Sequence, residues 1–111
     1  MTVFIHASGI ALEEDCRALV ERRLAGAVEH LERRINRINV FFADTNGWKG
    51  GVDKTCRVVI HLRRQSALVI EDRDHDLLAL VGRATERVAQ AVNRRLSKSR
   101  SRGTKIRLFD G

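Results

Sequence analysis

A chain of 111 residues with 43% apolar and 32% charged content has room for one domain around one core. No apolar run approaches the roughly 20 residues needed to span a bilayer, and MTVFIHASG lacks the basic start and long apolar stretch of a signal peptide, so the composition predicts a cytoplasmic protein with no membrane partner. The net charge of +7 is unevenly placed: Arg83 to Arg107 holds nine Lys or Arg against one acid, Glu86, a local +8, while the rest of the chain carries twelve basic and thirteen acidic residues. Solubility does not require that asymmetry, and a polyanionic partner, most commonly nucleic acid, would explain it.

In chain order, TVFIH at residues 2–6 predicts a short opening strand. A helical pattern follows from near Glu13. Leu12, Cys16, Leu19, Val20 and Leu24, then Ala27, Val28, Leu31 and Ile35, recur at three- and four-residue spacing. Glu13, Glu14 and Asp15 suit its first turn and Arg33 and Arg34 its last, both matched to the helix dipole. Gly26 is a cost inside such a helix and predicts a close approach to a neighbouring element.

Ile38, Val40 and Phe42 then alternate with Asn39, Phe41 and Ala43, as in a half-buried strand. DTNGWKGGVD reads as a loop, in which Trp48 either stacks on a base or plugs the sheet edge. In TCRVVIHLRR, Cys56, Val58, Ile60 and Leu62 share one face. Arg64 to Ser66 reads as a tight hairpin and ALVIE as the last strand.

From Asp74 the period is helical again, with Leu77, Val81, Ala84, Val88, Ala91 or Val92, and Leu96 as the apolar stripe. Glu71, Asp72, Asp74 and Asp76 are read as acids gathered at this helix's N-terminus rather than as a calcium loop, since the glycine and distal glutamate of such a loop are missing. The order is β-α-β-β-β-α. It predicts an α+β fold, a four-stranded sheet with one face buried under two long helices over residues 1–97, and a mobile basic tail over residues 98–111.

On the second helix Arg83, Arg87, Gln90, Arg94 and Lys98 follow at steps of four, three, four and four, which places them on one stripe. Arg83 lies roughly 200° round from Val81, so the stripe is read as facing away from the core. Arginine grips phosphate oxygens bidentately and glutamine can donate to a base or sugar, so the pattern suits an RNA backbone. Arg95, Arg100 and Arg102 extend it. A solvated helix face normally interleaves glutamate, as the first helix does with Glu21, Glu29 and Glu32. On that first helix Arg22 and Arg23 would widen the basic surface if the helices lie side by side, although pairs such as Glu29–Arg33 also suit a plain solvated face.

The chemistry of other sites is not signalled. His6, His30, His61 and His75 show no metal-ligand spacing, no nucleophile–base arrangement stands out, and no glycine-rich phosphate loop precedes a helix. An enzyme, a cofactor and a small-molecule substrate are therefore not expected. Cys16 and Cys56 are read as buried thiols in preference to a disulfide or redox pair.

Two segments carry a family resemblance. ALEEDCRALVERRLAGAVEHLERRINRINV resembles the long helix and following strand of the ribosome hibernation-promoting factor and ribosome-associated inhibitor family, also labelled sigma-54 modulation proteins. DLLALVGRATERVAQAVNRRL resembles that family's second helix, which typically begins D-x-Y-x-A-I; Asp76, Leu80 and Val81 match its outer positions, and Leu78 stands where the family has tyrosine. Basic family positions fall on Arg87 and Arg94, with Gln90 where arginine is frequent. The resemblance covers residues 2 to about 98 and is to the short, single-domain members.

It implies a fold related to double-stranded-RNA-binding domains and docking into the decoding channel of the small ribosomal subunit. There a basic helical face would hold rRNA and exclude mRNA and tRNA under stress, with no catalysis and no cofactor. Two other readings stay open on the residues: a general structured-RNA-binding domain, and a protein-interaction module of the sigma-factor-modulation kind.

Overall fold

The computed structural model describes residues 1–44 and 54–110, with side chains described as far as residue 97. Of the loop read at DTNGWKGGVD, all but Asp44, including Trp48, lies outside the described residues. The elements are β1 (Thr2–Ser8), α1 (Glu14–Ala27), β2 (Ile35–Asp44), β3 (Lys54–Leu62), β4 (Leu68–Asp74) and α2 (Leu77–Asp110).

The sheet order is β1-β2-β3-β4, with β1 and β2 parallel and the other two pairs antiparallel. Strand alternation decides which residues meet the helices. Ile38 pairs with Ile60, Val40 with Val58 and Phe42 with Cys56, and all six are buried. Ile35 is buried as well, although it lies an odd number of residues from Ile38. The register slips between Ile35 and Arg37, and that irregularity turns both isoleucines inward. The hairpin predicted at Arg64 is present, with Arg64 at φ 60, a left-handed conformation that closes the turn. Gly9 turns the chain out of β1 at φ +69, and a Cβ there would sit 3.2 Å from the Asp44 carbonyl oxygen.

Both helices lie against the same face of the sheet. From α1, Val20 and Leu24 are buried, joined by Val28 just past its end; from α2, Leu80, Val81, Ala84, Val88, Val92 and Leu96 are buried. Thr85 is the buried polar residue here, and its hydroxyl is satisfied by donating to the Val81 carbonyl at 2.8 Å.

The first helix is shorter than its apolar period predicts. It ends at Ala27, and residues 32–34 form a single 3-10 turn before β2 begins at Ile35. The crossover supplies the reason. A seven-residue strand spans about 23 Å, and a fourteen-residue helix returns about 21 Å. A helix continued to Ile35 would overshoot the start of the next parallel strand by about two turns. Arg33 and Arg34 therefore belong to the 3-10 turn, and Gly26 meets nothing within 4 Å of where its Cβ would stand. At the other end, α2 continues through residues 98–110, so the residues read as a tail are placed in the helix.

Candidate nucleic-acid interface

At 100° per residue, the buried positions of α2 centre on Val88 and Val81; Arg83, Arg87 and Arg94 form a flank about 110–150° from that centre, and Gln90 lies nearly opposite it. All four are exposed. They point away from the core, as the spacing predicts, and from there Arg83 and Arg87 reach back to β4 while Arg94 stands beside Leu68 of that strand. Arg95, on the core side of that flank, donates from Nη1 to the Ser66 carbonyl at 3.0 Å, in the β3–β4 turn.

The first two arginines are held by acids. The Arg83 guanidinium takes Asp72 through Nε at 2.7 Å and Nη2 at 3.2 Å, and reaches Asp74 through Nη1 at 3.1 Å. Its Nη2 also donates to the Arg73 carbonyl at 2.9 Å. Arg87 donates to the Glu71 carbonyl at 2.7 Å and lies 3.4 Å from Asp72. Asp72 is thus shared between two guanidiniums, chiefly Arg83, which hold its carboxyl below the usual carboxylate range. Asp74 is lowered as well, first by the Asp76 backbone N–H and then by Arg83.

This corrects the reading of the acids. Glu71, Asp72 and Asp74 are strand residues of β4, and α2 has no acid in its first turn. Asp76 alone serves the helix end, accepting from the Leu78 N–H at 3.1 Å. Asp72 and Asp74 lie in phase with Ile70 on the face of the strand under the helix, where Arg83, nearly two turns into α2, meets them. The sequence reading assigns them to the helix end; the signal for their pairing with arginine is the i, i+2 spacing of two acids in phase with a core-facing isoleucine.

Charge is consequently graded along the flank. Its N-terminal half, Arg83 and Arg87, is largely neutralised. Arg94 and Arg95 line a recess of about 230 Å³ with Leu68 and Ala91, and neither has an acidic partner among the described residues. Beyond them the helix carries Lys98, Arg100 and Arg102, whose side chains lie outside the described residues.

The basic residues of α1 do not join this flank. Arg23 lines a groove of about 330 Å³ with Gly82, Thr85, Glu86 and Ala89, on the opposite side of α2. Arg22 is exposed on α1. The helices do lie side by side, but the Arg83–Arg94 flank turns toward β4 and away from α1.

The pattern describing the sigma 54 modulation protein / S30EA ribosomal protein family matches residues 3–100. The chain belongs to that family. Among solved structures it is similar to a ribosomal subunit interface protein from Coxiella burnetii, with a TM-score of 0.72 and 14% identity over 87% of this chain and 99% of that one. It is similar also to the N-terminal domain of Thermus thermophilus Protein Y, with a TM-score of 0.68 and 19% identity over 85% and 98% of the two chains. At these identities the likeness is one of fold, and it matches the β-α-β-β-β-α order of this S30EA domain. No curated protein matches the chain.

Proposed function

We propose that this S30EA-family protein is a ribosome-associated hibernation factor. It occupies the decoding channel of the small subunit, lays the basic flank of α2 on rRNA and excludes mRNA and tRNA, acting by occupancy and charge in the cytoplasm without a catalytic step. The observation that carries the reading is the uncompensated end of that flank. Arg94 and Arg95 stand beside β4 without acidic partners among the described residues, and the helix leads from them straight into the basic residues 98–107. A surface of that kind draws its affinity from phosphates.

The test is co-sedimentation of the protein with small ribosomal subunits across a salt series, beside a free duplex RNA. Saturable binding to the subunit that weakens steeply with salt supports the reading. Arg94→Glu combined with Lys98→Glu should abolish it while leaving thermal unfolding unchanged. Equal affinity for the free duplex would instead indicate a general structured-RNA-binding domain, and binding to neither would sink both.

A further inference from the structure

The helices cover one face of the sheet and leave the other open among the described residues. The strand register sets the open face out in transverse rows. One row runs His6, Phe41, Arg57, Glu71; the next runs Phe4, Asn39, Val59, Val69. Arg37 and His61 are paired one row beyond on one side, and Thr55 and Arg73 on the other.

The outer face of a half-covered sheet is ordinarily polar. Here Phe4 is 45% exposed, Phe41 40% and Val69 50%, and they lie in adjoining rows. The His6 and Phe41 rings are stacked, with centroids 4.8 Å apart and planes 13° from parallel. The stack takes one face of each ring, and the pair stands on the open face with Phe41 still partly exposed. Phe4 is one strand and one row from Phe41, a separation of roughly 8 Å from strand spacing and rise.

Around this apolar centre the charge is positive. Arg37, Arg57 and Arg73 stand against one acid, Glu71. Arg57 is paired with Glu71 at 3.7 Å with both side chains mostly exposed, a contact weak enough for a phosphate to replace. Arg37 and Arg73 have no ion-pair partner among the described residues.

We propose that this open face is a second nucleic-acid site, which takes unpaired RNA by stacking bases on Phe41 and Phe4 while Arg37, Arg57 and Arg73 hold the phosphates. Exposed rings inside a cationic rim are what splayed, single-stranded bases require. A duplex offers no free base faces, and a second copy of the chain would bring three arginines against three. The site is chemically distinct from the α2 flank and lies on the far side of the sheet from it, so neither excludes the other. It does not depend on the ribosomal reading.

The experiment measures binding of fluorescein-labelled octauridylate to the full chain by anisotropy, with a duplex RNA of the same label in parallel. Phe4→Leu combined with Phe41→Leu keeps apolar area but removes the rings. It should weaken octauridylate binding about tenfold or more and leave duplex affinity unchanged, while Phe41→Tyr binds as the unmodified protein does. Backbone amide shift mapping on the unmodified protein reads the site directly, even if the double variant folds poorly. Shifts across β1, β2 and β3 support the proposal. Shifts confined to α2, or undiminished affinity in the folded double variant, would each overturn it.

Discussion

Arg83 and Asp72 share two hydrogen bonds between α2 and β4, so a guanidinium that sequence spacing offers to an external phosphate is already gripped by a carboxylate. The same carboxylate reaches Arg87. Two of the stripe's arginines are therefore partly spent within the fold, and the geometry that spends them also fixes where they sit.

Neutralising the acids should release that charge. With Asp72→Asn and Asp74→Asn combined, Arg83 and Arg87 become available to phosphates. Duplex RNA should then bind more tightly at low salt, and the slope of log affinity against log salt should steepen by up to about 2. A binding series over salt for the two proteins measures it. An unchanged slope would show that these arginines face no phosphate in the complex.

The same contact makes stability depend on pH. Asp72 and Asp74 are held below their ordinary value of 3.8, so the folded state favours their ionised forms. Their contribution is fully present above pH 3.8 and is lost as pH falls below it through the lowered folded values. Thermal unfolding followed from pH 7 downward should show that loss, and Arg83→Met should reduce it. If the two proteins lose stability in parallel, the arginine is not its source.

The thiols give a separate readout. Cys56 is buried in the core, and burial pushes its thiol from 9.0 up to about 12. Burial also raises Cys16, less deeply placed, with Glu13 adding to the effect. In the native protein Cys56 should stay unreacted toward a thiol reagent at pH 8, and Cys16 should react slowly. Because the unfolded thiol ionises first, the stability that comes from keeping Cys56 neutral is intact below pH 9 and declines between 9 and about 12. Rapid native labelling at Cys56 would contradict the packing described.

Two leucines should differ sharply. Leu24 is fully buried between α1 and the sheet, so Leu24→Ala should cost about 2–5 kcal/mol. Leu78, where the family resemblance places tyrosine, is 63% exposed at the start of α2. Leu78→Tyr should change stability by no more than about 0.5 kcal/mol. Chemical denaturation of the two variants checks both.

The sheet was legible because its signal is local. Alternation in Ile38, Val40 and Phe42, and in Cys56 through Leu62, names the buried face outright, and the Leu80-to-Leu96 stripe does the same for α2. The end of α1 was not, because Val28 and Leu31 keep helical spacing through a segment that has left the helix; the limit is imposed by the length of β1, which no local pattern reports. The arginine stripe was legible as a stripe but not as a paired one. Its partners come from a strand whose extent to Asp74 is set by pairing with Lys54 across the sheet.

β1 is an edge strand with little buried side-chain area. Along it only Val3 and Ile5 are half-buried, and among the described residues it pairs with β2 alone, at the sheet's edge, with Arg17 Nη1 of α1 donating to the Ile5 carbonyl at 3.2 Å. Its amides should be the first in the sheet to exchange with solvent. When it lifts, the ten-residue β2 becomes an edge with open backbone donors and acceptors, able to accept the same strand from a neighbouring molecule. A domain anchored so lightly at its first strand carries its own route to strand exchange between copies at high concentration.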